Sequence, residues 1–187
     1  MRIISGTAKG TKLYSLEGTI TRPTQDRVKE AIFNILQNQI RESIFLDLFA
    51  GSGAIGLEAA SRGAKKVYLC EINKNAINII KKNIEKTHLE KNIILYQNDF
   101  KEVLQTKISE KIDLIYIDPP YQSNYAVKAL EILITKELIT KNSLIIIETD
   151  RREEIEKEIL ENEKIKGIEI IDTRKYGRAT LIFIKLV

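Results

Sequence analysis

The stretch that decides the fold is residues 47–56, which read Asp47-Leu48-Phe49-Ala50-Gly51-Ser52-Gly53-Ala54-Ile55-Gly56. It continues a short apolar run, Ile44–Phe49, and leads into a helical pattern, Ala54–Arg62. Gly51, Gly53 and Gly56 form a G-x-G-x-x-G pattern, in which glycine permits a tight turn and lets a ligand approach the backbone closely. A strand, a glycine loop and a helix in this order predict a nucleoside-cofactor site.

Strand-like and helix-like runs alternate from residue 44 to residue 161. Such alternation predicts a mostly parallel sheet with helices on both faces. The predicted strands are Ile44–Phe49, Lys66–Glu71, Ile93–Gln97, Leu114–Ile117 and Leu144–Glu148, and the predicted helices are Ala54–Arg62, Asn73–Lys86, Phe100–Thr106, Ala126–Lys136 and Glu153–Glu161. The last two strand-like runs, Ile168–Thr173 and Thr180–Leu186, leave no room for a crossover helix. They should pair antiparallel, so that the seventh strand runs against the others.

The N-terminal region precedes this alternation. Residues 1–22 predict one or two short strands, arranged as a hairpin, and Thr24 is the expected N-cap of a helix with Asp26 in its first turn. No interdomain linker is visible. We therefore expect a single domain over residues 1–187, with an extension over 1–42 and a catalytic core over 43–187.

Composition excludes several classes of protein. The chain has 187 residues and 43% hydrophobic content, and no apolar run approaches the ~20 residues that span a bilayer. Residues 1–10 lack the apolar core of a signal peptide, so we expect a cytoplasmic protein with no membrane partner. Cys70 and His88 are the only residues of their types, which makes a disulfide or a zinc site implausible, and we expect no metal and a monomer.

The charge distribution points to a nucleic-acid partner. The formal net charge is +4, and residues 1–29 contain six basic and two acidic residues, so this segment holds the whole excess. A basic surface of this kind is typical of nucleic-acid binding, although a solvated charged face would look the same. The candidate phosphate contacts are Lys9, Arg22 and Arg27.

Two cofactor classes fit the glycine loop: a dinucleotide and S-adenosylmethionine. The second is favoured because Asp47 can attract the ammonium group of that cofactor, and because Asp99 can accept from an adenine amine while Phe100 covers the ring. Glu71 ends the second strand, where an acid can bind ribose hydroxyls. The candidate cofactor residues are Asp47, Ala50, Gly51, Ser52, Gly53, Glu71, Ile72, Asp99 and Phe100.

A second motif follows the fourth strand, where residues 118–121 read Asp118-Pro119-Pro120-Tyr121. Each proline fixes its own φ and keeps the preceding residue out of the helical region. Asp118 and Pro119 are therefore held extended, and the turn presents a carboxylate, a carbonyl and an aromatic ring together. These groups suit an exocyclic amine on a flat base, and all four residues are candidate catalytic residues. An ordinary strand-to-helix turn is the alternative.

These motifs together resemble the bacterial small-subunit (16S) rRNA guanine-N2 methyltransferases of the RsmD type. The similarity begins at residues 1–6 and continues through Thr21-Arg22-Pro23-Thr24. It is densest over residues 46–59 and Ser61-Arg62-Gly63-Ala64, and it resumes at residues 118–121.

The resemblance implies a class I, Rossmann-like methyltransferase fold. In this fold a seven-stranded, mostly parallel sheet has an antiparallel last strand. It also implies S-adenosylmethionine as cofactor and 16S rRNA as partner, within a small-subunit assembly intermediate or free of one. Three alternatives stay open: an adenine-N6 methyltransferase, an NAD-dependent oxidoreductase and a non-enzymatic RNA-binding module.

Overall fold

A computed structural model describes residues 1–16, 23–120 and 123–187 of the chain. Two of the predicted site residues, Arg22 and Tyr121, lie outside these ranges. The strands are β1 (Ile44–Asp47), β2 (Lys66–Cys70), β3 (Ile93–Tyr96), β4 (Leu114–Ile117), β5 (Leu144–Thr149), β6 (Ile168–Tyr176) and β7 (Ala179–Leu186). The helices are α1 (Pro23–Leu36), α2 (Ala54–Ser61), α3 (Lys74–Thr87), α4 (Phe100–Glu102), α5 (Tyr125–Thr135) and α6 (Arg152–Glu161). No described helix is long and apolar enough to cross a membrane.

The seven strands form one sheet in the order β3-β2-β1-β4-β5-β7-β6. β1 to β5 pair in parallel, and β7 runs antiparallel to both of its neighbours. This confirms the predicted α/β fold with a reversed last strand. From β1, the strands β2 and β3 follow towards one edge of the sheet, whereas β4 and β5 follow towards the other. Where the strand order reverses in this way, here between β1 and β4, a ligand-binding crevice opens at the carboxyl ends of the strands.

The sheet is buried on both faces by alternate side chains of the same strands. Leu46 and Ile115 face one apolar cluster, while Phe45 and Tyr116 face the other. Successive residues of a strand point to opposite faces, so apolar residues at every position require helices on both sides. Cys70 belongs to this core and is 1% exposed.

The N-terminal segment forms a short hairpin with a single antiparallel bridge between Arg2 and Lys12. The Ile3 N–H donates to the Thr11 carbonyl at 3.0 Å, and the Thr7 N–H donates to the Ser61 carbonyl of α2 at 2.9 Å. The hairpin therefore packs on α2, immediately beyond the glycine loop.

Two helix predictions differ in detail from the structure. α1 begins at Pro23, so Thr24 lies inside the helix and is not its cap; proline is favoured at the first helical position because it has no N–H to leave unpaired. The predicted helix Phe100–Thr106 is α-helical only to Glu102 and then continues as a π-helical turn, Val103–Lys107. The spacing of apolar residues in the sequence does not distinguish an α-helical turn from a π-helical turn.

Candidate active site

A cleft of about 200 Å³ lies at the carboxyl ends of β1, β4 and β5. Its floor carries three carboxylates, from Asp47 at the end of β1, Asp118 after β4 and Glu148 near the end of β5. The glycine-loop residues Ala50, Gly51 and Ser52 form one wall, and Ser15, Leu16 and Lys29 of the N-terminal region line another part. The structure therefore brings the cofactor loop and the Pro-Pro turn into one site.

Asp47 is the most deeply buried of these acids, at 1% exposure. Its Oδ2 accepts a hydrogen bond from the Gly56 N–H at 3.0 Å. Desolvation raises the pKa of Asp47 to about 7, and the negative charge of Glu71 adds to the rise, while the Gly56 hydrogen bond opposes it. A positive charge beside Asp47 would therefore be strongly favoured.

Asp118 and Glu148 share the acidic floor. Desolvation raises the pKa of Asp118 well above its usual range, and the charges of Glu148 and Asp47 raise it further. Asp118 is itself exposed to solvent, so the negative charges of its acidic neighbours raise its pKa more than its burial does. Desolvation also raises the pKa of Glu148, although the Tyr116 hydroxyl donates a hydrogen bond to its carboxylate.

The acidity of the cleft discriminates between the two cofactor classes. Among the side chains of the described residues that line it, only that of Lys29 is cationic, and the Lys29 ammonium donates to the Arg2 carbonyl and lies 3.3 Å from Glu58. Three carboxylates would repel the pyrophosphate of a dinucleotide. The same carboxylates suit S-adenosylmethionine, because this cofactor carries positive charge on an ammonium and a sulfonium group.

The three loop glycines serve different purposes. Gly51 has φ +56°, and a Cβ built on it would meet no atom within 4 Å, so it borders open space. Gly53 has φ +79° and caps α2, with Ile80 3.4 Å from a built Cβ. A Cβ on Gly56 would lie 2.2 Å from Leu69 Cδ2, so this glycine allows α2 to pack closely on the sheet. Of the three, Gly51 is the glycine with open space beside its backbone, and its contact with a ligand stays a prediction.

Glu71 holds the loop from the end of β2. Its Oε2 accepts from the Gly51 N–H at 2.9 Å, and its Oε1 accepts from the N–H groups of Ile72 and Asn73 at 2.9 and 2.8 Å. Ile72 is 65% exposed at the same edge. Glu71 is thus positioned beside the glycine loop, and its contact with a ribose stays a prediction.

Asp99 and Phe100 lie further along the edge, after β3, and do not line the cleft. Asp99 Oδ1 caps α4 by accepting from the Lys101 N–H at 2.8 Å. Phe100 is 3% exposed and packs with its ring centroid 5.1 Å from both Phe49 and Tyr125. Phe49, which lines the cleft, connects this aromatic group to the site.

The Pro-Pro turn is held in place by the residues that follow it. Ser123 Oγ donates to the Pro120 carbonyl at 2.8 Å, and the Arg151 guanidinium donates to the Ser123 carbonyl at 2.8 Å. Arg151 follows β5, so that strand supports the position of Pro119 and Pro120 as well as contributing Glu148.

The predicted RNA contacts lie outside the cleft. Lys9 is exposed in the hairpin turn, and Arg27 is exposed on α1. Sequence reasoning missed Glu148, Tyr116 and Lys29. Glu148 ends a predicted strand, as Glu71 does, and this position alone could have identified it as a candidate site residue. Nothing in the sequence singled out Tyr116 or Lys29.

Comparisons with known proteins agree with this geometry. A family model described as "Conserved hypothetical protein 95" matches residues 1–185. Ribosomal RNA small subunit methyltransferase D of Haemophilus influenzae is 39% identical over 153 residues, which cover 81% of this chain and 79% of that protein. A solved structure of a proposed methylase from Haemophilus influenzae is 29% identical, has a TM-score of 0.78, and is matched over 100% of this chain and 98% of the other.

A further solved structure shares the fold of this chain. SMU.776, a proposed methyltransferase complexed with S-adenosylhomocysteine, has a TM-score of 0.67 at 22% identity, over 87% of this chain and 49% of that one. At 22% identity, the similarity between this chain and SMU.776 shows a shared fold.

The fold, the glycine loop and the acidic cleft define an S-adenosylmethionine-dependent methyltransferase of the class I type. Within that class, the chain belongs to the family of the ribosomal RNA small subunit methyltransferases D.

Proposed function

We propose that this protein transfers a methyl group from S-adenosylmethionine to the exocyclic N2 amine of a guanine in 16S rRNA. The observation that carries the proposal is the shared cleft: Asp118 of the Pro-Pro turn lines the same cavity as Asp47 and Gly51 of the cofactor loop. A methyl donor and a base amine bound to these two walls would meet between them.

On the cofactor side, S-adenosylmethionine supplies an electrophilic methyl group when it is bound. Asp47 would pair with the ammonium group, and Gly51 would let the cofactor approach the backbone. Glu71 would accept hydrogen bonds from the ribose hydroxyls. Asp99 and Phe100 would bind the adenine, and Ile72, which is exposed beside Glu71, would cover it.

On the acceptor side, Asp118 and the Pro119 carbonyl would accept the two N–H bonds of the amine. The amine lone pair, otherwise delocalised into the ring, would then point towards the methyl group. Asp118 would also stabilise the positive charge that develops on nitrogen. Its raised pKa suits it to take the proton that the nitrogen loses as the new N–C bond forms. Tyr121 would hold the unstacked base by stacking.

Family membership supports ribosomal RNA as the substrate. Lys9, Arg22 and Arg27 would contact its phosphates and supply affinity without base identity. We also propose that the protein acts as a monomer in the cytoplasm, on an RNA that is bound in a small-subunit assembly intermediate.

The test is transfer of a labelled methyl group from S-adenosylmethionine to 16S rRNA, presented as naked RNA and as small subunits. The RNA is then digested to nucleosides and analysed by mass spectrometry. Label in N2-methylguanosine is the expected result, and Asp118→Asn is the inactive control. Label in N6-methyladenosine would show that adenine, and not guanine, is the methylated base. The absence of label in both RNA preparations would overturn the proposal.

A further inference from the structure

Tyr14 is an exposed aromatic residue that the structure fixes beside the cofactor loop. Its N–H donates to Oδ1 of Asn83 at 2.7 Å, and its carbonyl accepts from Nδ2 of the same side chain at 3.0 Å. Asn83 is fully buried in α3, and Nδ2 also donates to the Ser52 carbonyl at 2.9 Å. One buried amide therefore joins Tyr14 to the glycine loop, and the next residue, Ser15, lines the cleft.

The ring of Tyr14 is available for stacking. The residue is 49% exposed, although Nζ of Lys86 lies over one face of the ring, 4.3 Å from its centroid. In the described part of the chain, Tyr125 is the other exposed aromatic residue, but its ring packs against Phe49 and Phe100. Tyr14 is therefore the better platform for an external flat ring.

The helix beneath Tyr14 presents an unpaired basic face. α3 contains four lysines and one acid, and all four lysines are exposed: Lys74, Lys81, Lys82 and Lys86. Within the described residues, none of these lysines forms an ion pair. On α6, by contrast, Arg152 pairs with Glu156 and Lys157 pairs with Glu161. The chain beyond residue 29 has balanced charge as a whole, but α3 carries a local positive surface, and Asn83 joins this helix to the glycine loop.

We propose that Tyr14, Lys82 and Lys86 form a subsite for a single-stranded RNA nucleotide that flanks the target base. The flanking base stacks on Tyr14, and its phosphates contact Lys82 and Lys86, which lie one turn apart on the same face of α3. An unstacked flanking nucleotide is expected at this place, because the target base must leave its stack to enter the cleft. The subsite rests on the proposed function, since it binds the RNA that the cleft methylates.

The experiment uses the full-length protein and a fluorescently labelled single-stranded RNA oligonucleotide, with affinity measured over several salt concentrations. Tyr14→Ala should weaken binding by ~5- to 150-fold, the range for loss of one stacked base, while Tyr14→Phe should bind like the wild type. Lys82→Ala with Lys86→Ala should lower the slope of log affinity against log salt by ~1.4, about 0.7 for each lost contact to a single strand. Lys136→Ala with Lys141→Ala is the matched control, because both lysines are exposed and precede β5, at the amino end of that strand, whereas the cleft lies at the carboxyl ends of the strands.

Affinity for S-adenosylmethionine is measured for every variant, and an unchanged value shows that the fold and the cofactor loop are intact. If Tyr14→Ala and the α3 double variant bind RNA as the wild type does, with cofactor affinity intact, the subsite is overturned. Wild-type methyl transfer to 16S rRNA is measured in parallel. Its presence together with unchanged variant affinities refutes the subsite alone, whereas its absence refutes the proposed function.

Discussion

The Nζ of Lys29 lies 3.3 Å from Oε2 of Glu58, and both side chains are buried. Glu58 also accepts hydrogen bonds from the backbone N–H groups of Ile4 and Ser5, at 2.8 and 3.0 Å, and from Arg62 Nε at 2.7 Å. One glutamate of α2 therefore ties together the N-terminal hairpin, α1 and the cleft wall that Lys29 forms. Desolvation lowers the pKa of Lys29, and the charge of Glu58 opposes that shift.

Removing this glutamate should destabilise the protein. Glu58→Ala leaves the Lys29 ammonium buried without its partner, and breaking such a pair typically destabilises a protein by about 3–5 kcal/mol. Glu58→Gln should be milder, because its amide oxygen can still accept from the hairpin. Denaturant unfolding gives the free energy, with the exposed Glu163→Ala expected within about 0.5 kcal/mol of the wild type. Equal stability of Glu58→Ala and Glu163→Ala would contradict the role of the pair.

Asp47 should make both stability and cofactor affinity depend on pH. Its pKa rises from 3.8 to about 7 on folding, so the folded state binds more protons than the unfolded state between these values. Stability of the cofactor-free protein therefore falls as pH rises through this window. A bound cation favours the ionised carboxylate, so affinity for S-adenosylmethionine should increase from pH 6 to pH 8.

Asp47→Asn separates these two effects. The variant should be more stable than the wild type at pH 8 without cofactor, because it buries no charge. Its affinity for S-adenosylmethionine should be lower and should rise less steeply with pH, with Asp118 and Glu148 supplying the remaining dependence. Calorimetry and thermal unfolding at several pH values measure both. An Asp47→Asn variant that binds the cofactor as tightly as the wild type at pH 8 would remove Asp47 from the ammonium site.

Asp118 should act mainly on turnover. Asp118→Asn cannot stabilise the positive charge on the amine nitrogen, so kcat should fall by at least about 100-fold, the usual loss for one group aimed at transition-state charge. The Kd for S-adenosylmethionine should change much less. Asp150→Asn, at an exposed aspartate after β5, is the control. Poor cofactor binding with normal kcat at saturation would place Asp118 on the cofactor side instead.

Two glycines of the loop should respond differently to alanine. Gly56→Ala drives a methyl group into Leu69 and Val67, so it should destabilise the fold by about 1–3 kcal/mol. Gly51→Ala meets open space and only the strain of its positive φ, roughly 1–2 kcal/mol, but its methyl group would stand where we propose that the cofactor binds. The free energy of unfolding and the Kd for S-adenosylmethionine distinguish them. If Gly56→Ala weakens S-adenosylmethionine binding more than Gly51→Ala does, the roles given to the two glycines would be reversed.

Local sequence signals predicted most of the elements. The strands from Ile44 to Glu148 are short apolar runs that must be buried on both faces, and the glycines after Asp47 end the first of them. The boundaries were less secure where local signals compete. Pro23 and Thr24 both signal a helix start, and the proline is the residue that begins α1. The π-helical turn after Glu102 has no signature in the apolar spacing.

The sequence by itself determined which residue types stand at the carboxyl ends of the strands: Asp47, Glu71, Asp99 and Asp118. This follows from chain connectivity, because each residue ends, or follows within a few residues, an apolar run that is predicted to be a strand. Tertiary structure decided which of them meet. β1 and β4 are neighbours in the sheet although 70 residues separate their first residues, Ile44 and Leu114, and only this pairing brings Asp47 and Asp118 into one cleft.

The packing of segments that are distant in sequence also determines the positions of Glu148, Lys29 and Asn83. Their pairing partners, Tyr116, Glu58 and the Tyr14 backbone, are 32, 29 and 69 residues away in sequence. Periodicity describes a side chain only relative to its own helix or strand. Whether a polar residue on a buried face meets a cofactor loop, a hairpin or a second carboxylate depends on the packing of elements, and only the folded chain determines that packing.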